Sequence, residues 1–272
     1  MGEINRDVNL FFGLEVSQIF SDIIAVKKEK EAVDKKVLII VPAYNEEKSI
    51  DKVLKSIKRE CSFCDVVVIN DGSVDATAKI AEENGVIVIS VPYNLGIGGA
   101  VQTGLLYAQR NDYDIAIQLD ADGQHKAEEV NKLINTLERE TSDMVLGSRF
   151  IDKNKYRSTF MRRLGNVIFS GLIGMVTKQF FTDSTSGFRT FNRRAINFLA
   201  QNYPTDFPEP ESLVILKKHG FRIVEIPVSM EERQGGQSSV TKFKAVYFMI
   251  SISIAILIDW IKKPVLRDSN YD

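Results

Sequence analysis

Residues 115–125 read IAIQLDADGQH, in which alternating apolar side chains run into two closely spaced aspartates. The alternation predicts a buried strand over Ile115–Leu119, and Asp120 and Asp122 follow at its C-terminal end. Residues two apart in an extended chain project to the same side at a spacing of roughly 6 to 7 Å, so both carboxylates can face one ligand. Such oxygen ligands suit Mg²⁺ or Mn²⁺, which proteins typically share with substrate phosphates. An ordinary polar turn is the alternative, because Asp and Gly are common in turns.

Short apolar runs alternate with helical patterns along the chain before this strand. Strands are predicted over residues 37–41, 66–69 and 86–89, and helices near 47–59, 76–84 and 98–109. Continuous apolar strands separated by helices indicate an α/β fold, a Rossmann-like and mostly parallel sheet flanked by helices on both faces. Ligands of such sheets bind outside the carboxyl ends of the strands, so binding residues are expected at that edge.

Polar loops follow these three strands at the expected edge, over residues 42–47 (PAYNEE), 70–73 (NDGS) and 92–100 (PYNLGIGGA). Tyr44 can stack on a base, and Glu46 and Asp71 can accept hydrogen bonds from a base or a ribose. Helix capping by Ser73 or Asp75 is the alternative for the second loop. The glycines of the third loop permit close backbone approach to a ligand, or only a turn. They do not form G-x-G-x-x-G after the first strand, which disfavours an ordinary dinucleotide site.

The composition is that of one large globular domain with appendages. Of 272 residues, 44% are hydrophobic and 26% charged, which gives no indication of disorder. A formal net charge of −1 argues against nucleic acid as the main partner. Cys61 and Cys64 form C-x-x-C, but no second pair or nearby His completes a zinc site, and a strand rather than a helix follows. The pair is therefore interpreted as structural, with thiols kept reduced in the cytoplasm.

Both ends of the chain carry apolar helical patterns. Residues 8–26 have amphipathic helical spacing without a signal-peptide pattern, and a charged connector follows over 27–36. Residues 245–258 are the most apolar run, yet shorter than the roughly 20 residues of a bilayer span. An interfacial helix with Trp260 at the headgroups is favoured, and a helix for protein–protein contact, including a homo-oligomer, is the alternative. The domain boundaries are therefore drawn at 1–36, 37–240 and 241–272. We expect a cytoplasmic protein that is peripheral at the inner face of the membrane.

Basic residues cluster beyond the central strand. Arg149 ends a strand predicted from residue 144, and three arginines lie early in the helix predicted over 156–175, namely Arg157, Arg162 and Arg163. A guanidinium can hold two phosphate oxygens at once, so these side chains are candidates for a phosphate site. A solvated basic helix face is the alternative.

Two later segments carry further polar residues. Residues 207–211 (FPEPE) precede a helix predicted over 212–219, where Glu209 and Glu211 can cap the helix or serve the site. An edge strand is predicted over 221–228. The glycines of 232–239 then predict a mobile loop that closes over a bound diphosphate, with Arg233 supplying positive charge.

Four motifs, in this order, resemble the inverting family 2 glycosyltransferases, and within them the dolichyl- and polyprenyl-phosphate sugar synthase branch. The motifs are VPAYNEE at 41–47, NDGS at 70–73, NLGIGGA at 94–100 and DADGQH at 120–125. The resemblance covers about residues 37–239 and implies a GT-A fold, a nucleoside diphosphate sugar donor and a divalent metal ion, Mg²⁺ or Mn²⁺.

The resemblance also implies site residues. The metal ligands would be Asp120, Asp122 and Gln124. The acceptor phosphate would be held by Arg149 and Arg163, with Arg162 in reserve and Arg189 from the family-like segment 183–189. The donor would be bound by nine residues, Pro42, Ala43, Tyr44, Glu46, Asp71, Asn94, Gly99, Asp120 and Ala121.

The general base is the point at which this chain departs from the family pattern. Some relatives carry an aspartate, proposed as the base, where this chain has Gly187. A base must then be Asp183 or Glu209, or none is needed, because a phosphate monoester is already ionised near neutral pH (second pKa about 6). Relatives often carry Lys where this chain has Ser239, and Lys242 is a candidate replacement.

The expected reaction is an inverting single displacement that moves a hexose or N-acetylhexosamine from a UDP- or GDP-sugar to a polyprenyl or dolichyl phosphate. Asp122, the metal and Arg233 would act where negative charge develops on the departing diphosphate. A transferase that modifies a glycan or protein hydroxyl in cell-surface polysaccharide synthesis is the alternative. More distant alternatives are a nucleotidyltransferase and a non-catalytic binding protein.

Overall fold

The computed structural model describes residues 35–152 and 160–231, and the three helical positions 253, 254 and 258. Apart from those three positions, the predicted terminal helices and the loop with Arg233 lie outside the described residues. Within the described part of the chain, no helix is both long enough and apolar enough to cross a bilayer.

The described strands form one seven-stranded sheet in the order β3-β2-β1-β4-β6-β5-β7. Six of them run parallel, and only β6 is antiparallel to its neighbours β4 and β5. The mostly parallel α/β sheet predicted from the sequence is confirmed. The strands are β1 (Val37–Ala43), β2 (Asp65–Asn70), β3 (Ile87–Ser90), β4 (Ile115–Gln118), β5 (Met144–Ser148), β6 (Arg189–Asn192) and β7 (Ile223–Pro227).

Helices cover both faces of the sheet, because alternate residues of each buried strand point to opposite sides. In β1, Leu38 and Ile40 pack in one hydrophobic cluster, and Ile39 and Val41 pack in the other. One face is covered by α1 (Ile50–Glu60), α2 (Thr77–Glu83), a short 3₁₀ helix (Ala127–Glu129) and α4 (Val130–Arg139). The other is covered by α3 (Gly96–Arg110), α5 (Phe160–Thr177), α6 (Arg193–Asn202) and α7 (Pro208–Lys218).

The antiparallel direction of β6 brings the second half of the chain to the binding edge. Gln118 at the end of β4 pairs in register with Arg189 at the start of β6. The segment that leads into β6, residues 182–188, therefore arrives where β4 delivers Asp120. The sequence did not predict β6, because only one of its four residues, Phe191, is a large apolar side chain.

Arg189 is fully buried at the start of β6, and each nitrogen of its guanidinium donates a hydrogen bond. It donates to the carbonyl oxygens of Ser186 (2.7 Å) and Glu209 (2.8 Å) and to Oγ of Ser212 (2.6 Å). This corrects the prediction that Arg189 binds the acceptor phosphate: its donors point into the protein, where they join β6 to the start of α7.

Replacing Arg189 with Met should lower the free energy of unfolding by at least about 3 kcal/mol, because several buried oxygens each lose a partner at roughly 1 to 3 kcal/mol. Arg193→Met is the matched control. Arg193 is about half exposed, with a side-chain exposure of 47%, and pairs with Asp114 at the surface, so its replacement should change stability by less than about 1 kcal/mol. Urea unfolding of both variants tests this, and equal destabilisation would contradict the structural role of Arg189.

Candidate functional site

A cleft of about 290 Å³ opens at the carboxyl ends of β1, β2 and β4. Eight of the nine residues predicted to bind the donor line it, the exception being Gly99. The full lining is Pro42, Ala43, Tyr44, Glu46, Asp71, Asn94, Gly96, Ile97, Ala100, Asp120, Ala121 and Asp122. The topology thus brings together residues that are spread over 81 positions of sequence, from 42 to 122.

Gly99 serves packing instead of the cleft. A Cβ atom at this position would lie 2.5 Å from Cβ of Leu95, so only glycine fits there. Gly96, Ile97 and Ala100 line the cleft in its place, on the face of the first turn of α3. The glycines of this loop were predicted to approach a ligand, whereas Ile97 and Ala100 were not predicted, because the helix was expected to begin at residue 98 and α3 begins at Gly96.

Hydrogen bonds fix the loops after β1, β2 and β3, which form one wall of the cleft. The Asp71 side chain is buried and accepts the backbone N–H of Leu95 at 2.7 Å, which ties the loop after β2 to the loop after β3. Glu46 accepts the Ser49 hydroxyl at 2.8 Å, and its backbone N–H donates to Thr77 Oγ1 at 2.8 Å. Tyr44, by contrast, exposes about half of its surface. The aromatic ring is thus accessible at a wall whose backbone is fixed.

The Asp120 carboxylate lies between two buried side chains. Gln118 Nε2 donates to Oδ1 at 3.3 Å, and His125 Nε2 lies 3.7 Å from Oδ2. On the far side of Gln118, the Tyr203 hydroxyl donates to its Oε1 at 3.5 Å, and burial raises the pKa of that hydroxyl. The sequence analysis did not single out Gln118, His125 or Tyr203 as site residues. A polar Gln inside an otherwise apolar strand was the signal for the first of them.

The oxygen ligands that the cleft offers suit a hard divalent cation. Asp120 and Asp122 both line the cleft, and Asp122 Oδ1 also accepts the backbone N–H of Gln124 at 3.0 Å. Gln124 is not among the lining residues. Among residues 35–152 and 166–231, no group of three or more His, Cys, Asp or Glu side chains is arranged to hold a metal. Two carboxylates, completed by substrate phosphates and water, are a typical arrangement for Mg²⁺.

Arg149 and Asp183 form a buried bidentate ion pair. Arg149 Nε and Nη2 each lie 2.7 Å from a different oxygen of Asp183, and the backbone N–H of Arg149 adds a third bond at 3.0 Å. Asp183 is fully buried. Asp183 does not fit its predicted role as base, because its oxygens already accept these hydrogen bonds. The pair engages Nε and Nη2 of Arg149, and the predicted phosphate contact of Arg149 stays a prediction.

Glu209 is the candidate base that remains within the described part of the chain. It lies in the first turn of α7, one turn earlier than the helix predicted from residue 212. Burial raises the pKa of its carboxyl; the positive charge of Arg189 opposes this rise, and the negative charge of Asp120 adds to it. The negative charges of Glu209 and Asp120 therefore repel each other.

Gly187 explains the departure from the family pattern. A Cβ atom here would lie 2.9 Å from Gln118 Nε2 and 3.0 Å from Asp120 Oδ2. A side chain here would have to shift the ends of the Gln118 and Asp120 side chains, the latter by a few tenths of an ångström. The backbone at Gly187 thus lies directly against the Asp120 carboxylate.

Helix α5 presents an apolar surface to solvent. Val167, Met175 and the following Phe180 are exposed by 65%, 80% and 65%. No charged residue lies between Arg163 and Lys178 in the sequence. Arg162 and Arg163 belong to the first turn of this helix, and their side chains lie outside the described residues, as does the whole of Arg157.

The sequence is similar to those of two enzymes of other organisms. The chain is 30% identical, over 83% of its length and 99% of the relative's, to a UDP-N-acetylglucosamine–dolichyl-phosphate N-acetylglucosaminyltransferase of Methanococcus voltae. It is 26% identical to the polyprenol monophosphomannose synthase of Mycolicibacterium smegmatis, over 76% of this chain and 81% of the relative.

The fold comparison agrees with the sequence comparison. Glucosyl-3-phosphoglycerate synthase of Mycobacterium tuberculosis, solved with Mn²⁺, UDP-glucose and phosphoglyceric acid, superposes with a TM-score of 0.62. The superposition covers 85% of this chain and 82% of the other, at 19% identity, and confirms the predicted GT-A fold. The profile of the family described as Glycosyl transferase family 2 matches residues 38–199. This chain therefore belongs to glycosyl transferase family 2.

Proposed function

We propose that this glycosyltransferase moves a sugar, with inversion, from a nucleoside diphosphate sugar to the phosphate of a polyprenyl or dolichyl lipid. The observation that carries the proposal is the cleft, which combines an exposed aromatic ring, Tyr44, with the two carboxylates Asp120 and Asp122. The Methanococcus relative, named for a UDP-sugar donor and a dolichyl phosphate acceptor, supports both ends of the reaction. The donor sugar is proposed as a hexose or N-acetylhexosamine, carried by UDP or GDP.

The donor would lie along the cleft. Tyr44 would stack on the base, with Glu46 and Asp71 beside the nucleoside, and the diphosphate would reach Asp120 and Asp122 at the other end. These carboxylates, with Gln124 as a proposed third ligand, would hold Mg²⁺ or Mn²⁺. When bound, the cation supplies positive charge to the diphosphate as it leaves. Arg233 is proposed to add a second positive charge there.

The chain's own residues position the reacting groups. The cleft would bind the donor with its anomeric carbon near Asp120, and an acceptor oxygen attacks that carbon from the face opposite the diphosphate. The new carbon–oxygen bond forms as the bond to the diphosphate breaks, so the configuration inverts. Orientation of this kind can account for a large part of a rate enhancement.

A lipid phosphate acceptor is supported by the surface of α5. The helix begins near Arg162 and Arg163 and continues with exposed apolar side chains, an order that suits a phosphate followed by a hydrocarbon chain. Because Arg149 is engaged by Asp183, the two helical arginines are the proposed phosphate contacts. An ionised phosphate attacks without a general base.

The terminal segments would bring the enzyme to its acceptor. We propose that residues 241–272 attach the catalytic domain, residues 37–240, to the inner face of the membrane, and that residues 1–36 form a separate helical appendage. A homo-oligomeric contact through these helices is the alternative.

A hydroxyl acceptor on a glycan or protein is a second candidate function. The position of Glu209 in the first turn of α7, with a carboxyl whose pKa burial raises, supports it, because a hydroxyl needs a base to remove its proton.

Product partition distinguishes the acceptors. With Mn²⁺, a polyprenyl phosphate and a radiolabelled donor from a panel of UDP- and GDP-sugars, we expect label in the organic phase and release of nucleoside diphosphate. Asp122→Asn should lower turnover at least about 10²-fold, because the leaving group loses charge stabilisation. Asp112→Asn is the matched control at an exposed position and should match the wild type. Label that stays aqueous would contradict the lipid acceptor, and pyrophosphate release would indicate a nucleotidyltransferase.

Glu209→Gln tests the buried carboxyl. Because the pKa of Glu209 is higher in the folded than in the unfolded protein, the folded state binds this proton more tightly. Stability is therefore lost as pH rises from the unfolded pKa, about 4.3, through the folded pKa. We expect urea unfolding to show the variant more stable than the wild type at about pH 7.5, with the difference reduced near pH 4.

The exposed Glu128→Gln control should show no such pH-dependent gain. In the partition assay, Glu209→Gln should lower transfer to lipid phosphate by less than tenfold. A loss of about 10² or more would instead support general-base catalysis.

Gly187→Ala should weaken Mn²⁺ binding about tenfold or more, because the added methyl group displaces the Asp120 carboxylate, and loss of ligand positioning typically lowers metal affinity by 10–100-fold. Gly171→Ala in α5 is the matched control, since a Cβ there meets no atom within 4 Å. Electron paramagnetic resonance of free Mn²⁺ measures the Mn²⁺ affinity of both variants. Unchanged affinity in a folded Gly187→Ala protein would show that the methyl group leaves the cation site intact.

A further inference from the structure

The side chain of His125 is buried and stacked on an aromatic ring, and its backbone is paired with a later segment. The side chain is 4% exposed, and the ring stacks on Phe188 with centroids 4.8 Å apart and planes 9° from parallel. Its backbone forms an antiparallel bridge with Met230, and the neighbouring carbonyl of Gln124 accepts the N–H of Glu231 at 2.9 Å. The two ring nitrogens therefore face fixed partners.

The hydrogen bonds assign the tautomer of His125. The backbone N–H of Asp120 donates to Nδ1 at 3.0 Å, and since an amide N–H is always a donor, Nδ1 carries no proton. A neutral imidazole then carries its proton on Nε2. The Nε2 atom lies 3.7 Å from Asp120 Oδ2.

The Asp120 carboxylate is consequently bracketed by two N–H groups. Gln118 donates to Oδ1, and the Nε2–H of His125 faces Oδ2. The contact from His125 is longer than a hydrogen bond, so it acts by electrostatic attraction, which burial strengthens. The same imidazole also binds the backbone of Asp120, so one ring sets both the main chain and the carboxylate of this residue.

We propose that His125 is a positioning residue, whose Nε2–H group holds the Asp120 carboxylate in the orientation required to bind the cation. The inference rests on the proposed function, in which Asp120 is a metal ligand. Partners of metal ligands fix ligand orientation, and their loss typically lowers metal affinity by 10–100-fold. His125 itself does not contact the substrate in this role.

The tautomer can be tested in the wild-type protein, which contains only His125 and His219. His219 is an internal control of the opposite kind: its Nδ1 lies 2.9 Å from the carbonyl oxygen of Ile215, which only accepts, so Nδ1 carries the proton. Ring ¹⁵N spectra of histidine-labelled protein, assigned with His219→Gln, should show Nε2–H at His125 and Nδ1–H at His219. An Nδ1–H tautomer at His125 would overturn the proposal.

Two variants distinguish the roles of the two ring nitrogens of His125. His125→Asn keeps an acceptor near the position of Nδ1 and loses the Nε2–H group, whereas His125→Gln keeps a donor near Nε2 and loses the acceptor. We expect His125→Asn to weaken binding of Mn²⁺ alone 10–100-fold, and His125→Gln to weaken it less. The opposite order would mean that His125 only supports the loop backbone, and would overturn the proposal. If either variant fails to fold, the wild-type spectra decide.

Asp122→Asn separates this inference from the proposed function. If Asp122→Asn weakens Mn²⁺ binding and His125→Asn does not, the positioning role alone is wrong. If Asp122→Asn binds Mn²⁺ as the wild type does, the proposed cation site is wrong and the inference fails with it.

Discussion

The site depends on the pairing of β4 with an antiparallel neighbour that starts at a buried arginine. Arg189 is stable in the core because its guanidinium satisfies the carbonyl oxygens of Ser186 and Glu209 and the hydroxyl of Ser212. Buried charge is tolerated where such partners are complete. These bonds join the backbone beside Gly187, which approaches Asp120, to the first turn of α7, which carries Glu209.

The two halves of the site are built from different interactions. On the donor side, short hydrogen bonds join neighbouring loops, as when Asp71 binds the backbone of Leu95. On the other side, the ion pair of Arg149 with Asp183 joins residues 34 positions apart. The Asp120 carboxylate lies between these halves, where Gln118 from the sheet and His125 from the following loop both face it. The direction of the Asp120 carboxylate is thereby set by two neighbouring side chains.

The sequence predicted the first four strands of the fold well. Strands β1 and β4 are buried along their whole length and therefore appear as apolar runs, and the rule that ligands bind at the carboxyl ends of strands brought Tyr44, Asp71 and Asp120 to one edge of the sheet. The other half was less predictable. Strand β6 carries a buried Arg whose partners are known only from the folded chain, and the capture of Asp183 by Arg149 leaves no local pattern. Helix α7 begins at Pro208, a residue that suits a first turn but was interpreted as preceding the helix.

The pairing of β4 with β6 is only four residue pairs long, and within the sheet it connects strands β1–β4 to strands β5–β7. A second join lies among the helices on one face, where Gln102 and Gln109 of α3 donate to the carbonyl oxygens of Ala200 and Asn197 of α6, and both helices pack in one hydrophobic cluster. A change of side-chain volume in α6 must therefore be accommodated by α3, whose first turn lines the cleft.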